Sequence, residues 1–148
     1  THPDFYARQD HAVVNWYYGD AVYAPMYYGF GGPGDYGDRA ALARRCESEL
    51  MATAPDTVLV LVKARPEIIR ERREREQGLA PYPRDADIDV VLRRFQEEYD
   101  GSLIRRRIEL DTSDGAPADT LAAFLEQVRP MLTAEDRLRL LAHRQLTT

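Results

Sequence analysis

One segment of the chain, Thr57 to Ala64 (TVLVLVKA), constrains the fold more than any other. It is apolar apart from its first residue and one lysine, and half of its positions are β-branched. An uninterrupted run of this kind predicts a strand that is covered on both faces in a parallel sheet. Pro66 stands where the first residue of a helix would, and the charged segment from there to Gln77, stopped by Gly78, predicts that helix.

A second short segment, Arg107 to Asp111 (RIELD), predicts another strand of the same sheet because helical patterns flank it. A third short strand is predicted at Ala12 to Trp16. Strands that alternate with helices pair in parallel through right-handed crossovers, which gives a three-layer α/β fold. The chain has no internal repeat and no linker, so residues 1–148 are expected to form one domain.

Helical periodicity and capping residues place the remaining helices. One is expected between Asp38, which can cap it, and Pro55. A second begins at Asp87 as the cap, a third runs from Pro117 to Leu132, and Thr133 with Asp136 resembles the capping box of a last helix. The apolar faces of the first three are formed by Leu42, Cys46, Leu50, then Ile88, Val91, Leu92, Phe95, Tyr99, then Leu121, Phe124, Leu125, Val128.

Composition excludes several classes of function. A net charge of -5 argues against a general nucleic-acid binder, which needs a basic face. No run approaches the roughly 18 apolar residues of a membrane helix, and no secretory signal is recognisable, so a soluble, cytoplasmic protein is expected. Cys46 is the single cysteine, and no pair of the three histidines has the spacing of metal ligands; we therefore predict no metal site in the chain itself.

An arginine-rich segment follows the first strand, at the end of a parallel strand where ligands bind. Helical spacing puts Arg70 and Arg73 on one side, with Arg72 and Arg75 rotated away. The pair could clamp a polyphosphate. The alternative is a solvated helix whose arginines pair with glutamates three and four residues away on the same helix; these are Glu67, Glu71, Glu74 and Glu76.

A dense group of aromatic residues lies between Trp16 and Phe30. Such rings can stack on a nucleobase, and tyrosine hydroxyls can bind a sugar or a phosphate. They can equally fill a core or the subunit interface of a homodimer. Tyr23 and Tyr27 are expected to share a helical face.

The order of these segments resembles the thymidylate kinases and related deoxynucleoside kinases of the P-loop nucleoside and nucleotide kinase family. The similarity covers most of the chain. It lies in a hydrophobic strand followed by A-R-P-E, an arginine-rich helix and a proline-containing loop, which would form the lid at about residues 65–87. The strand and turn IELDTSD and the helix GAPADTLAAFLEQVRPML are similar to the closing strand and last helix of that family.

The resemblance implies roles for particular residues. Arg70 and Arg73 would be the catalytic clamp over the phosphates of ATP and Mg²⁺, and the turn Asp111, Thr112 and Ser113 would border the adenine. The segment VVNWYYGDAVYAPMYYG resembles the acceptor-binding part of the family. A small-molecule nucleoside or nucleotide would be the partner, and the substrate-binding residues would be Asn15, Tyr17, Asp20, Tyr23 and Tyr27.

The sequence departs from the family in two places. It contains no Gly-x-x-x-x-Gly-Lys-Ser/Thr, and Lys63 lies on a strand after no glycine loop, so nothing here cradles the phosphates of ATP. Asn15 and Trp16 stand where the family has Asp-Arg. The resemblance therefore implies a fold incomplete at its N-terminus. It leaves two functions open: a kinase when a phosphate loop is supplied, or a non-catalytic binding or assembly module.

Overall fold

The computed structural model describes residues 11–75 and 82–146. Within these residues the chain is an α/β protein with one two-stranded sheet and six α-helices. In chain order the elements are α1 (Trp16–Tyr23), α2 (Arg39–Thr53), β1 (Val58–Lys63), α3 (Pro66–Arg75), α4 (Ile88–Asp100), β2 (Arg106–Asp111), α5 (Pro117–Val128) and α6 (Ala134–Leu146). The predicted end of α3 at Gln77 and its stop at Gly78 lie outside the described residues.

Three short segments complete these elements. A π-helical segment, Ala24–Tyr28, continues α1, and 3-10 turns occupy Asp85–Asp87 and Arg129–Met131. The glycine-rich segment 30–38 has no helix or strand, and three of its glycines have positive φ, as its turn-forming composition predicts.

The two predicted strands pair in parallel, which confirms the sheet expected from the sequence. Val58 pairs with Arg106, and the register continues to Lys63 opposite Asp111. Helices α3 and α4 form the connection between the strands. Gln96 of α4 donates a hydrogen bond to Glu109 at 3.1 Å. Because side chains alternate across a strand, α4 covers the face that carries Glu109 and its register partner Leu61.

The prediction that β1 is buried on both faces is wrong. None of the six residues of β1 is buried. On the face opposite α4, Ile108 and Leu110 of β2 are 1% and 6% exposed, whereas Val62, which pairs with Leu110, is 61% exposed. Among the described residues, the elements that pack closely on β1 are β2 and α4. These two elements do not bury all of the apolar side chains of β1.

The main core lies where α1, α2 and α4 pack together. Val22, Ala43 and Val91 contribute buried side chains from the three helices. The predicted apolar stripe of α4 is confirmed, since Ile88, Val91 and Tyr99 are buried. Thus the helices, more than the small sheet, enclose apolar volume.

A charged residue, Glu47 of α2, is the exception in this core, with 0% exposure. Its carboxylate accepts hydrogen bonds from the Tyr18 hydroxyl, from Ser102 Oγ at 2.7 Å and from the Leu103 N–H at 2.8 Å. Arg44 Nε lies 3.3 Å from the same carboxylate. Burial, with the bond to Glu47, raises the pKa of Tyr18, so its hydroxyl remains a donor over the neutral range.

The predicted caps differ in outcome. Asp38 caps α2 by accepting from the Ala41 N–H at 2.9 Å, and Thr133 and Asp136 exchange bonds at the start of α6; both predictions are confirmed. Asp87 precedes α4 as predicted but makes no side-chain cap. Its carboxylate instead accepts hydrogen bonds from the Tyr27 hydroxyl and from Arg84 Nε. The bond from the cationic Arg84 is stronger than one from a helix N–H, so the carboxylate binds the arginine rather than capping the helix.

The strand predicted at Ala12 to Trp16 does not form. Val14 is 85% exposed, and Asn15 and Trp16 have φ values of 62° and 37° in the left-handed region. A strand needs a hydrogen-bonded neighbour, and none of the described residues pairs with this segment. The backbone turns here directly into α1.

Two helices near the C-terminus are only partly covered. Leu121 and Leu125 of α5 are exposed, as is Leu138 of α6, so the predicted apolar stripe of α5 is half open to solvent. In the described part of the chain, no helix is both long and apolar enough to cross a membrane.

Candidate functional site

Aromatic and arginine side chains from four parts of the chain meet around the turn Asp85–Asp87. We call this group the tyrosine–arginine cluster and define it as Tyr23, Tyr27, Tyr82, Arg73 and Arg84. Tyr23 lies at the end of α1, Tyr27 on its π-helical extension and Arg73 on α3, whereas Tyr82 and Arg84 precede the turn. The cluster also touches α4 through Tyr23. Two residues predicted to bind the acceptor and one predicted to clamp phosphate thus lie in one place.

Tyr27 is at the centre of this cluster. Its ring stacks on Tyr82 with centroids 4.1 Å apart, and the Arg84 guanidinium lies 5.4 Å from its centroid. Its hydroxyl donates to Asp87 Oδ2 at 3.0 Å, and Arg84 Nε is 2.8 Å from the same oxygen. The stack of two tyrosines beside a cation is a surface on which a further planar ring could bind.

Tyr23 connects the cluster to the core. Its ring centroid lies 6.0 Å from that of Tyr27, as expected for residues on one helical face, and 5.6 Å from Phe95 of α4 in an edge contact. Burial raises the pKa of Tyr23, and the nearby Arg73 guanidinium opposes that increase. Arg73 therefore lies close enough to act electrostatically on the tyrosine hydroxyl.

The two arginines predicted as a clamp reach across to a different segment. Arg73 Nε lies 3.1 Å from Asp85 Oδ1, and Arg70 Nη2 lies 2.5 Å from Asp89 Oδ2. Arg75, in contrast, pairs with Glu71 of its own helix. The prediction that Arg70 and Arg73 share a side is confirmed, and both pair with aspartates of another segment. Glu76, which the alternative offers as a partner for Arg73, lies outside the described residues.

The turn predicted to border adenine lies at the carboxyl edge of the sheet and is held by other arginines. Arg72 Nη1 donates to Thr112 Oγ1 at 3.0 Å, and its second nitrogen donates to the Thr112 carbonyl. The Arg65 N–H donates to Ser113 Oγ at 2.8 Å, and Ser113 N–H donates to Asp111 Oδ1 at 2.8 Å. Arg72 therefore fixes this turn.

Arg65 makes a two-pronged contact at the end of that turn. Its two terminal nitrogens each lie 2.8 Å from the carboxylate of Asp114, a two-pronged pair. The pair raises the pKa of Arg65 and lowers the pKa of Asp114. This turn and the tyrosine–arginine cluster lie on opposite sides of α3, because Arg72 points to one and Arg70 and Arg73 to the other.

The remaining predicted substrate residues lie at the start of α1. Asn15 and Asp20 are exposed, and Tyr17 packs edge-on against Trp16 with centroids 4.8 Å apart. The structure brings Tyr23 and Tyr27 together with the arginines, whereas Asn15 precedes the helix in a left-handed conformation.

The described residues offer no cluster of side chains that could hold Mg²⁺. No group of three or more histidine, cysteine, aspartate or glutamate side chains among residues 11–75 and 82–146 is arranged to hold a metal ion. Asp85, Asp87 and Asp89 face arginines instead.

Tyr82, Arg84 and the aspartates around the turn were not predicted from the sequence as site residues. A signal was present in the segment Arg84 to Asp89 (RDADID), where three aspartates alternate shortly after an arginine-rich helix. No protein-family model, curated protein or solved structure matches the chain. The resemblance to nucleotide kinases therefore stays a prediction from pattern.

The carboxylate of Asp87 should keep its charge to an unusually acidic pH. The bond from Arg84 is the main reason why the pKa of Asp87 is lowered, and the hydrogen bond from the Tyr27 hydroxyl lowers that pKa further. Since the folded pKa is lowered, the contribution of this group to stability is present above the ordinary aspartate pKa of about 4 and is lost as pH falls through the folded value. An NMR titration of the Asp87 carboxyl carbon measures that midpoint.

The Arg84→Gln variant is the control for this titration. The midpoint of Asp87 should move up towards the ordinary value, while that of Asp136, whose pKa is lowered by Thr133, should not move. An Asp87 midpoint that is the same with and without Arg84 would contradict the geometry of the cluster.

Proposed function

We propose that this chain is a nucleotide-binding domain of the nucleoside and nucleotide kinase type, with a three-layer parallel fold when complete. Its tyrosine–arginine cluster binds a nucleoside or nucleotide as the phosphoryl acceptor. Phosphoryl transfer from ATP requires a phosphate-binding loop in addition to these 148 residues. The observation that carries the proposal is the convergence of Tyr23 and Tyr27 with Arg73 around one turn.

The chemistry of the cluster suits such a ligand. A nucleobase can stack on the tyrosine pair, in which Tyr82 is exposed and Tyr27 half-buried, since base–aromatic stacking contributes about 1–3 kcal/mol per base. Arginine binds phosphate oxygens in two-pronged fashion. The present partners of Arg70 and Arg73 are exposed carboxylates, and an exposed ion pair contributes only about 0.2–1 kcal/mol. A phosphate could therefore replace Asp85 and Asp89 at small cost.

The test is binding of thymidine monophosphate and of thymidine, measured by titration calorimetry. Tyr27→Ala should weaken both ligands about 10-fold, because both stack. Arg73→Gln should weaken the monophosphate about 10-fold and leave thymidine unchanged, because only the monophosphate carries the charge that the arginine binds. Asp85→Asn, which releases Arg73, should strengthen binding of the monophosphate about 2- to 5-fold.

Arg75→Gln is the matched control, because Arg75 lies on the same helix but pairs with Glu71 away from the cluster. It should leave both affinities unchanged. If Arg73→Gln and Arg75→Gln weaken the monophosphate equally, only general charge is involved, and the proposed site is wrong. If neither ligand binds the full chain at millimolar concentration, the function itself is wrong.

A second function, a non-catalytic binding or assembly module, has one specific observation in its favour. Where the resembled family carries an Asp-Arg pair, this chain has Asn15, which is exposed, and Trp16, whose ring packs on Tyr17 and Tyr18. Neither side chain can carry the charge of the pair. Phosphoryl transfer by a form supplied with a phosphate loop would favour the kinase, and tight nucleotide binding without transfer would favour the module.

A further inference from the structure

Helix α3 is held to the other described residues mainly by polar contacts. None of its ten residues is buried, and its two large apolar side chains, Ile68 and Ile69, are half-buried. A helix that buries little apolar area can shift at small cost in free energy. Where its arginines lie therefore depends on the bonds that fasten the helix.

These bonds form two groups on opposite sides of α3. On one side, Arg70 and Arg73 bind carboxylates of residues 85–89. On the other side, Arg72 donates to two oxygens of one residue, Thr112 Oγ1 and the Thr112 carbonyl. Among the described residues, the side-chain hydrogen bonds that join α3 to other segments all belong to one of these two groups.

The two groups respond differently to the ligand. In the proposed function, on which this inference rests, the phosphate of the acceptor takes Arg70 and Arg73 from their carboxylates. Among the described residues, the bonds from Arg72 to Thr112 are then the side-chain bonds that still join α3 to the edge of the sheet. The bound state therefore depends on Arg72 more than the free state does.

Without Arg72, the described contacts would fix the ligand-bound helix only at its start. Arg65, directly before Pro66, is bound to residues 113–114. From Pro66 to Arg73 the helix spans about 10 Å, so a rotation of about 10° around its start would displace Arg73 by about 2 Å. A displacement of that size breaks a hydrogen bond, because donor and acceptor must lie within about 3.2 Å of each other.

We propose that Arg72 is a positioning residue for the two phosphate-binding arginines. Its two-pronged bond to Thr112 holds α3 in the orientation in which Arg70 and Arg73 face the tyrosine–arginine cluster. Because the free chain also has the carboxylate pairs, the loss of Arg72 acts mainly on the state with phosphate bound. Thymidine carries no phosphate and leaves those pairs in place, so its affinity does not depend on Arg72.

The test is titration calorimetry of the full chain with thymidine monophosphate and with thymidine. Arg72→Gln should weaken the monophosphate about 5-fold, which corresponds to one hydrogen bond of ordinary net strength, and leave thymidine unchanged. Arg75→Gln removes the same charge from the same helix and is the control. An equal loss for both ligands would mean that Arg72 only stabilises the fold, and an effect no larger than that of Arg75→Gln would mean that it positions nothing. Either result overturns the proposal.

A double-mutant cycle tests the route through Thr112. Thr112→Val keeps the shape of the side chain but removes the Oγ1 acceptor, and it should weaken the monophosphate about 2-fold. Combined with Arg72→Gln it should add nothing, because the bond is already absent. Additive losses would show that the two residues act separately and would overturn the proposal.

The same titrations separate this inference from the proposed function. If Arg73→Gln weakens the monophosphate and Arg72→Gln does not, the acceptor site stands and the role of Arg72 is wrong. If neither ligand binds the unmodified chain, both the function and the role of Arg72 are wrong.

Discussion

Glu47→Ala is expected to lower the free energy of unfolding by about 3–5 kcal/mol, the range found when one member of a buried charged group is removed. The Leu103 N–H, the Ser102 hydroxyl and the Tyr18 hydroxyl would all lose their acceptor. A buried donor without an acceptor costs about 1–3 kcal/mol. Because small domains have only about 5–15 kcal/mol in total, this loss would be a large fraction of the free energy of unfolding.

Chemical denaturation followed by circular dichroism gives this difference. Glu49→Ala, two residues away on an exposed part of the same helix, is the matched control and should change the value by about 0.5 kcal/mol at most. Glu47→Gln retains one acceptor oxygen and should fall between the two. If Glu47→Ala is no more destabilising than Glu49→Ala, then Glu47 does not accept the three hydrogen bonds that the structure assigns to it.

Ile108→Ala should have the second largest effect, a loss of about 2–5 kcal/mol. Ile108 is 1% exposed on the sheet face away from α4. Truncating it removes buried apolar atoms and leaves a cavity, which β2 cannot close by moving because it is hydrogen-bonded to β1. Thermal unfolding should show the loss as a fall in melting temperature of at least about 5 °C, on the scale expected for a domain of this size.

The control is Leu121→Ala, which removes the same number of side-chain carbon atoms from a position that is 57% exposed on α5. We expect a change within about 0.5 kcal/mol. Equal losses from the two variants would mean that the face of α5 bearing Leu121 is covered in solution.

The elements of the fold could be predicted where the cause is local. Pro66 begins α3, the Asp38 side chain caps α2, and Thr133 with Asp136 begins α6, because each depends on groups within three or four residues. The buried face of α4 could be predicted as well, because apolar residues at helical spacing lie on one side of a helix and that side packs against the core. The parallel pairing of β1 and β2 followed from the helices between them.

The candidate site was predictable only in part. Spacing alone put Arg70 and Arg73 on one side of α3 and Tyr23 and Tyr27 on one face of their helix. That these two pairs approach the same turn depends on how α1 and α3 pack against α4, which neither segment encodes by itself. The sequence likewise gave no reason to choose Asp85 over Glu74 as the partner of Arg73.

What the sequence determined by itself was therefore the type and order of the elements, through propensity, capping and periodicity. What only the tertiary structure decided was which surfaces they cover. The run Val58 to Val62 is apolar enough for a fully buried strand, yet none of its residues is buried and Val62 is 61% exposed, because burial is a property of the surrounding elements. For the same reason Glu47 reads as a surface residue in sequence but lies in the core, where three donors from two distant segments meet its carboxylate.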